Sequence, residues 1–174
     1  AYQRNIETTR FFGSAYLQLN TIKNLTYKSN LTLDRSNSRD GQYQDMYSVS
    51  RYQATQTSYI SNTNSISTKL VWQNTATYNL DIDKNALVFL LGSEASKYVA
   101  ETSSTYGEAG KDHFYKSSFY DVSKIASPTA KTTYVKSSML SYFARVNYSF
   151  DSKYLLQASL RADGSSVLAE GHKW

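Results

Sequence analysis

Apolar and polar residues alternate with a period of two in three parts of the chain, and the clearest of these is residues 140–163. It consists of two alternating runs that flank a polar break at 151–153, which is the pattern of a β-hairpin. The face that is apolar in both runs holds Leu140, Tyr142, Ala144, Val146, Tyr148, Phe150, Tyr154, Leu156, Ala158 and Leu160. The pattern predicts two long antiparallel strands that turn near residue 152.

The type of apolar residue on this face changes along the hairpin. Tyr148, Phe150 and Tyr154 lie beside the turn, whereas small and aliphatic residues occupy the middle of the strands. Strands that cross a bilayer place aromatic side chains at the membrane interface and apolar ones in the hydrocarbon. This change along the hairpin therefore favours a strand pair that crosses a membrane over one that faces a compact soluble core.

Two further hairpins are predicted earlier in the chain, with turns near residues 23 and 83. The apolar face of the first holds Phe11, Gly13, Ala15, Leu17, Leu19, Leu25, Tyr27, Leu31 and Leu33. The apolar face of the second begins with Leu70, Trp72, Ala76 and Tyr78. Its return strand opens with 86–91, a run too continuously apolar for its faces to be assigned from the pattern alone.

Short and long connections alternate along the chain. The short turns lie within the three hairpins, about 11–34, 68–94 and 138–163. The long connections, rich in Ser, Thr, Asn, Gln and Tyr, cover about 35–65, 99–136 and 164–174. Connections longer than roughly 12–15 residues are uncommon in compact domains, but outer-membrane barrels join short periplasmic turns to long extracellular loops. We expect such loops here, and the alternation in KTTYVKSS (131–138) indicates that some strands continue into them.

Six strands do not close a transmembrane barrel of this kind. An open sheet with one apolar face leaves two unpaired edges, which lipid does not tolerate. The prediction is therefore an all-β fold, an antiparallel up-and-down transmembrane β-barrel of which residues 1–174 form about six strands, with the remaining strands on both sides. No plug domain is expected within these residues.

The composition agrees with strands rather than helical spans. The mean hydropathy is −0.53, and no window approaches the roughly 18–20 apolar residues of a transmembrane helix. Barrel strands need only alternate residues to be apolar. Cysteine is absent, which excludes thiolate chemistry, and the net charge of +5 comes from lysines and arginines that are scattered rather than clustered, so nucleic acid is not an expected partner. Any export signal is expected outside this sequence, which begins at Ala1.

The last hairpin also carries a family resemblance. SYFARVNYSFDSKYLLQASLRADGSSVLAEGHKW, residues 141–174, resembles the barrel signature of SusC/RagA-type TonB-linked outer-membrane transporters. Residues 74–94 and 11–34 resemble the two preceding hairpins of that family, with less specific motifs. Ala144, where the family often has Gly, and Ala162, where it often has a charged residue, depart from the pattern without affecting the fold.

The resemblance implies a larger, 22-stranded barrel with an N-terminal plug. It further implies a location in the bacterial outer membrane, in contact with lipid, and energy supplied by TonB through a part of the protein outside this sequence. A SusD-like surface lipoprotein is the implied partner, and a glycan or a peptide is the implied substrate.

Candidate chemistry elsewhere in the chain is weak. Asp81, Asp83 and Asn85 have the spacing that opens a calcium loop, but the required Gly and terminal Glu are absent, so a turn is predicted. His113 and His172 lack spaced partners for a metal or a catalytic triad. Ser165 and Ser166 follow Gly164 without the second Gly of a nucleophile elbow. We therefore expect no catalytic residue, no metal, no cofactor and no enzymatic activity.

Arg145, Arg161 and Asp163 fall on the polar face of the third hairpin, where charge is tolerated only if it faces a lumen. The favoured interpretation is a structural ladder of ion pairs across strands. The other is a lining that guides a polar substrate. Aromatic residues of the predicted long loops are candidates for contact with substrate or partner, or for packing among the loops: Tyr98, Tyr106, Phe114, Tyr115, Phe119 and Tyr120.

Three functions remain open from the sequence. Active nutrient import rests on the family resemblance. A barrel that does not transport, acting as a scaffold, an adhesin or a subunit of a surface assembly, is the alternative, and upstream sequence with a plug would separate the two. A soluble carbohydrate-binding sandwich predicts a monomer in buffer without detergent, whereas we expect aggregation.

Overall fold

The computed structural model describes residues 2–45, 57–110, 122, 123, 125 and 127–168. These form one antiparallel sheet in which the strands pair in chain order. Within this part of the chain, no helix is long and apolar enough to cross a membrane. The strands are β1 (Tyr2–Ile22), β2 (Leu25–Gln44), β3 (Ser58–Ile82), β4 (Asn85–Gly110), β5 (Thr129–Phe150) and β6 (Tyr154–Ser165).

Three tight turns join the strands into hairpins, and they lie where the sequence pattern predicts them, at 23–24, 83–84 and 151–153. Each turn contains a residue in the left-handed region, such as Asn24 at φ 64° and Asp83 at φ 50°. Asn and Asp tolerate this conformation better than most residues. The Asn85 amide donates a hydrogen bond to the Ile82 carbonyl (3.3 Å), so the residues that begin like a calcium loop close a β-turn.

The predicted loops at 35–65 and 99–136 require correction, because strands occupy much of both. β2 continues to Gln44, β3 begins at Ser58, β4 continues to Gly110, and β5 begins at Thr129. These extensions are largely polar, so the hydropathy pattern indicates only part of them, as at 131–138. Ser and Thr hydroxyls pair across the strands. Strands of 25 and 26 residues greatly exceed the roughly 9–11 residues that cross a bilayer.

The contacts divide the chain into two units, each of which takes part of the long strands. The turn unit comprises Phe12–Asp34, Lys69–Tyr98 and Lys136–Trp174 and contains the three turns. The loop unit comprises Ala1–Phe11, Arg35–Thr68 and Val99–Val135. The predicted hairpins correspond closely to the strand segments of the turn unit.

The turn unit has one apolar face and one polar face. In the β5–β6 register, Tyr142 faces Ala162 and Val146 faces Ala158 on the apolar face, while Phe143 faces Arg161 on the polar face. The apolar face remains uncovered, since Leu91 is 63% and Leu160 is 76% exposed. An apolar surface of this extent is stable only against lipid or a partner.

The faces of β4, which the pattern left open, follow from two contacts. Glu94 contacts Arg161, and a side chain at Gly92 would overlap the ring of Phe143. Even-numbered residues of this part of β4 therefore lie on the polar face, and Leu87, Phe89 and Leu91 lie on the apolar face. Gly92 supplies the space in which the Phe143 ring lies, a Gly–aromatic pairing across neighbouring strands.

Ser29 and Asn74 are polar residues on the apolar face, and an aromatic side chain from the neighbouring strand binds each of them. The Trp72 indole N–H donates to the Ser29 hydroxyl (2.9 Å), and the Tyr27 hydroxyl donates to the Asn74 amide oxygen (2.8 Å). Pairing removes the cost of placing an unsatisfied polar group in an apolar environment. These bonds explain how Ser29 and Asn74 fit a predominantly apolar face.

The loop unit has its own small core. Tyr43 and Ile60 are fully buried, and Ile125 and Val122 pack with them. A Cβ atom on Gly107 would lie 2.7 Å from the Ile125 side chain, so the close approach of residue 125 to β4 depends on this glycine.

Polar side chains join neighbouring strands elsewhere in the loop unit. Hydroxyl pairs form between Thr63 and Ser104 (3.0 Å) and between Ser65 and Thr102 (3.1 Å). On β1 and β2, the Arg4 guanidinium donates to both carboxylate oxygens of Asp40 (3.0 and 2.6 Å). This hydrogen bonding holds the pKa of the Asp40 carboxyl below its ordinary value.

We predict that Gly92→Ala lowers the free energy of unfolding by about 1–3 kcal/mol, the usual cost of overpacking, because the Phe143 ring must move. The measurement is the temperature at which the complete protein loses its folded mobility on gels. The double variant Gly92→Ala/Phe143→Leu, which removes the clash, should recover part of the loss. Equal melting of Gly92→Ala and the parent would contradict the pairing.

Ile60→Ala should destabilise the loop unit by about 2–5 kcal/mol, the cost of removing a buried aliphatic side chain, since Ile60 is fully buried. Hydrogen exchange of β3 amides near residue 60 should accelerate. Ile66 on the same strand is 36% exposed, so Ile66→Ala is the matched control and should change exchange much less. Equal acceleration in both variants would argue against a local core.

Candidate functional site

Arg161 is the centre of a cluster on the polar face of the turn unit. Its Nε donates to the Asp163 carboxylate (2.7 Å), and its Nη2 contacts the Glu94 carboxylate (3.4 Å). The guanidinium lies 5.5 Å from the centre of the Phe143 ring, within the range of a cation–π contact. Gln73 donates to the other oxygen of Glu94 (3.4 Å). The Arg161 cluster therefore joins β3, β4, β5 and β6.

The ladder predicted for this face is present in part. Arg161 connects β6 to β4 through Glu94, an ion pair that spans the intervening strand β5. Its shorter pair, with Asp163, lies within β6. Arg145, by contrast, makes no ion pair or side-chain hydrogen bond with the residues that the structure describes.

Arg145 and Arg161 border one open concavity of about 620 Å³. Its wall also contains neutral polar and aromatic side chains from three neighbouring strands, among them Gln73, Thr75, Phe143 and Ser159. The groups available to a ligand are thus a free guanidinium, amide and hydroxyl groups, and one aromatic ring. This is chemistry suited to binding polar molecules rather than transforming them.

The polar face of the first hairpin has a similar character. The Lys28 ammonium lies 4.3 Å from the centre of the Tyr16 ring. The Ser14 hydroxyl donates to the Asn30 amide oxygen (2.9 Å) and contacts the Thr32 hydroxyl (3.2 Å). Hydrogen bonds between side chains thus extend along this face of β1 and β2.

The structure places two of the candidate aromatic residues in a strand rather than in a loop. Tyr98 and Tyr106 both belong to β4, because the polar part of β4 keeps its pairing. The Tyr106 ring is 6.4 Å from that of Tyr59, at an interplanar angle of 40°, so packing between strands accounts for it. The other four candidates lie outside the described residues: Phe114, Tyr115, Phe119 and Tyr120.

Metal chemistry finds no support in the part of the chain that is described. No group of three or more His, Cys, Asp or Glu side chains there could hold an ion. His113 and His172 lie outside that part. Ser165 accepts a hydrogen bond from the Val167 N–H (3.3 Å), which is the role of a turn residue.

Sequence reasoning missed Glu94 and Gly92, which hold Arg161 and Phe143 in place. Both follow the continuous apolar run of β4, where the faces could not be read from alternation. The only available signal was Phe143, an aromatic residue among polar neighbours on its face. An aromatic side chain at that position needs space, which a small residue on the adjacent strand provides.

The uncovered apolar face, the polar opposite face and the alternation of tight turns with long strands define a segment of an antiparallel transmembrane β-barrel. Comparison with known proteins agrees. A TonB-dependent receptor of Formosa agariphila is 26% identical over 176 residues, which cover 97% of this chain and 16% of the receptor. No protein-family model matches the chain.

Solved structures show the same fold. The RagAB peptide transporter matches 99% of this chain with a TM-score of 0.79 and 23% identity, and the open-open state of the RagAB peptide importer matches it with a TM-score of 0.80 and 22% identity. The siderophore receptor PiuA of Acinetobacter baumannii matches 92% with a TM-score of 0.61 and 15% identity.

These likenesses confirm the resemblance to SusC/RagA-type TonB-linked transporters and the predicted fold class. The chain covers 19% of the RagAB chains and 26% of the PiuA chain. It thus corresponds to less than a third of the length of the proteins it matches.

Substitution of the two arginines should show which of them stabilises the sheet. We predict that Arg145→Ala leaves the melting temperature of the complete protein unchanged, because Arg145 loses no partner among the described residues. Arg161→Ala should instead lower the melting temperature, since Glu94 and Asp163 then repel each other. If Arg145→Ala lowered the melting temperature and Arg161→Ala did not, the structural role would belong to Arg145.

Proposed function

We propose that the protein containing this chain imports a polar nutrient, a glycan or a peptide, across the bacterial outer membrane. Import depends on TonB, and a SusD-like surface lipoprotein captures the substrate. The polar face of the turn unit lines the lumen of the complete barrel, and the apolar face contacts lipid.

The observation that carries this proposal is the likeness to a TonB-dependent receptor over 97% of the chain. The division of the turn unit into two faces supports the same conclusion. The β5–β6 pairs on the apolar face extend from Leu140 to Phe150, a length that matches the roughly 9–11 residues of a membrane strand. The polar face carries Arg145 and the Arg161 cluster, groups that a water-filled lumen accommodates.

A peptide is one proposed substrate class, because the RagAB peptide transporter is among the proteins whose fold this chain shares. The free guanidinium of Arg145 and the hydroxyl and amide groups around it can bind peptide carboxylates and carbonyls. The same groups can bind sugar hydroxyls, so glycans remain within the proposed substrate class.

The test is uptake of labelled oligopeptides and oligosaccharides by cells that express the complete protein. We expect accumulation of one class, and we expect deletion of TonB to reduce it to background, because transport through a plugged barrel needs energy from the inner membrane. Deletion of the SusD-like lipoprotein should weaken uptake at low substrate concentration.

A passive porin substrate is the control in the same cells, and its entry should not change on deletion of TonB. Uptake that persists without TonB would contradict the proposal. A full-length sequence without an upstream plug, combined with normal surface display, would instead favour a barrel that serves as scaffold or adhesin.

A further inference from the structure

The apolar face of the turn unit carries two charged side chains away from the turns. Among the described residues of this unit, Lys97 on β4 and Lys136 on β5 are the only charged groups on that face outside the turns. Ser96 and Tyr98, the two neighbours of Lys97 in β4, border a groove on the polar face that also contains Lys69. Lys97 therefore lies on the opposite, apolar face. Lys136 is even-numbered, like Leu140 and the other apolar-face residues of β5, so it lies on the apolar face.

The two lysines lie at nearly the same level on neighbouring strands. One groove brings Ser96 and Tyr98 of β4 against 137–139 of β5, so Lys97 lies beside Ser138 and within a few residues of Lys136. Neighbouring strands are about 4.7–4.9 Å apart, and a lysine side chain is long enough for both ammonium groups to reach one anion. Ser138 is exposed and lies on the same face of β5 as Lys136.

Neither lysine has an ion-pair partner among the described residues. Two of the turn lysines differ in this respect. Lys84 and Lys153 both contact the Asp151 carboxylate, at 3.7 and 3.0 Å. Their charges are partly compensated within the sheet, whereas Lys97 and Lys136 are left to bind something else.

We propose that Lys97, Lys136 and Ser138 form a binding site for the phosphate of a lipid A-type glycolipid in the outer leaflet of the membrane. Short turns of outer-membrane barrels face the periplasm, so the opposite end of the apolar face lies at the outer leaflet, where phosphorylated glycolipid is the anionic lipid. Its acyl chains cover the apolar side chains below the lysines. The phosphate accepts hydrogen bonds from both ammonium groups and from the serine hydroxyl.

The test is titration of the complete, detergent-solubilised protein with bisphosphorylated lipid A, with bound lipid counted by native mass spectrometry. Each lysine near an anionic lipid surface contributes about 1 kcal/mol, which is about fivefold in affinity. The variant Lys97→Gln/Lys136→Gln should therefore bind about 25-fold more weakly. Lys97→Arg/Lys136→Arg should retain binding because the charge is kept.

Lys69→Gln is the matched control, since Lys69 borders the polar-face groove at the same level, and it should bind lipid A as the parent does. Dephosphorylated lipid A should bind the parent as weakly as lipid A binds the double glutamine variant. Folded mobility on gels identifies any variant that fails to assemble, in which case the two single glutamine variants, each about fivefold weaker, replace it.

Three results would overturn the proposal. They are unchanged lipid A binding in the glutamine variants, an equal loss in Lys69→Gln, and displacement of lipid A by an equal concentration of phosphatidylglycerol, which would make the ligand a phospholipid. Because lipid binding is measured without uptake, the outcome is independent of whether the barrel imports a nutrient.

Discussion

Backbone hydrogen bonding in the absence of water is the constraint on which this structure depends. In hydrocarbon every N–H and C=O must find a partner within the protein, and a sheet satisfies them only by pairing strand to strand. The six strands pair in chain order, each with the next. Tight turns, long antiparallel strands and an apolar outer face follow from this one requirement.

The same constraint governs the side chains of the apolar face. Two polar groups there are bound by a neighbour, as Trp72 binds Ser29 and Tyr27 binds Asn74. Its charged groups outside the turns, Lys97 and Lys136 among the described residues, lie at the end of the face opposite the turns. The polar face carries the opposite chemistry. Its charges are shared among strands around Arg161, while Arg145 remains available to a ligand.

The two units hold the same strands together in different ways. In the turn unit, apolar and polar residues alternate, so that one face of the sheet is apolar and the other is polar. In the loop unit, most strand residues are polar, and hydroxyl pairs such as Thr63–Ser104 join the strands. A small core around Tyr43 and Ile60 stabilises the loop unit.

The sequence alone determined the three hairpins, their turns, the faces of five strands and the family resemblance, because period-two alternation and turn residues are local signals. It did not determine the full lengths of the strands, since their extensions are largely polar and the hydropathy pattern indicates only part of them. Only the tertiary structure decided which residues surround Arg161. Glu94 lies 67 positions away in the chain, and its contact depends on the register of β4 and β5, which Gly92 and Phe143 set by their fit.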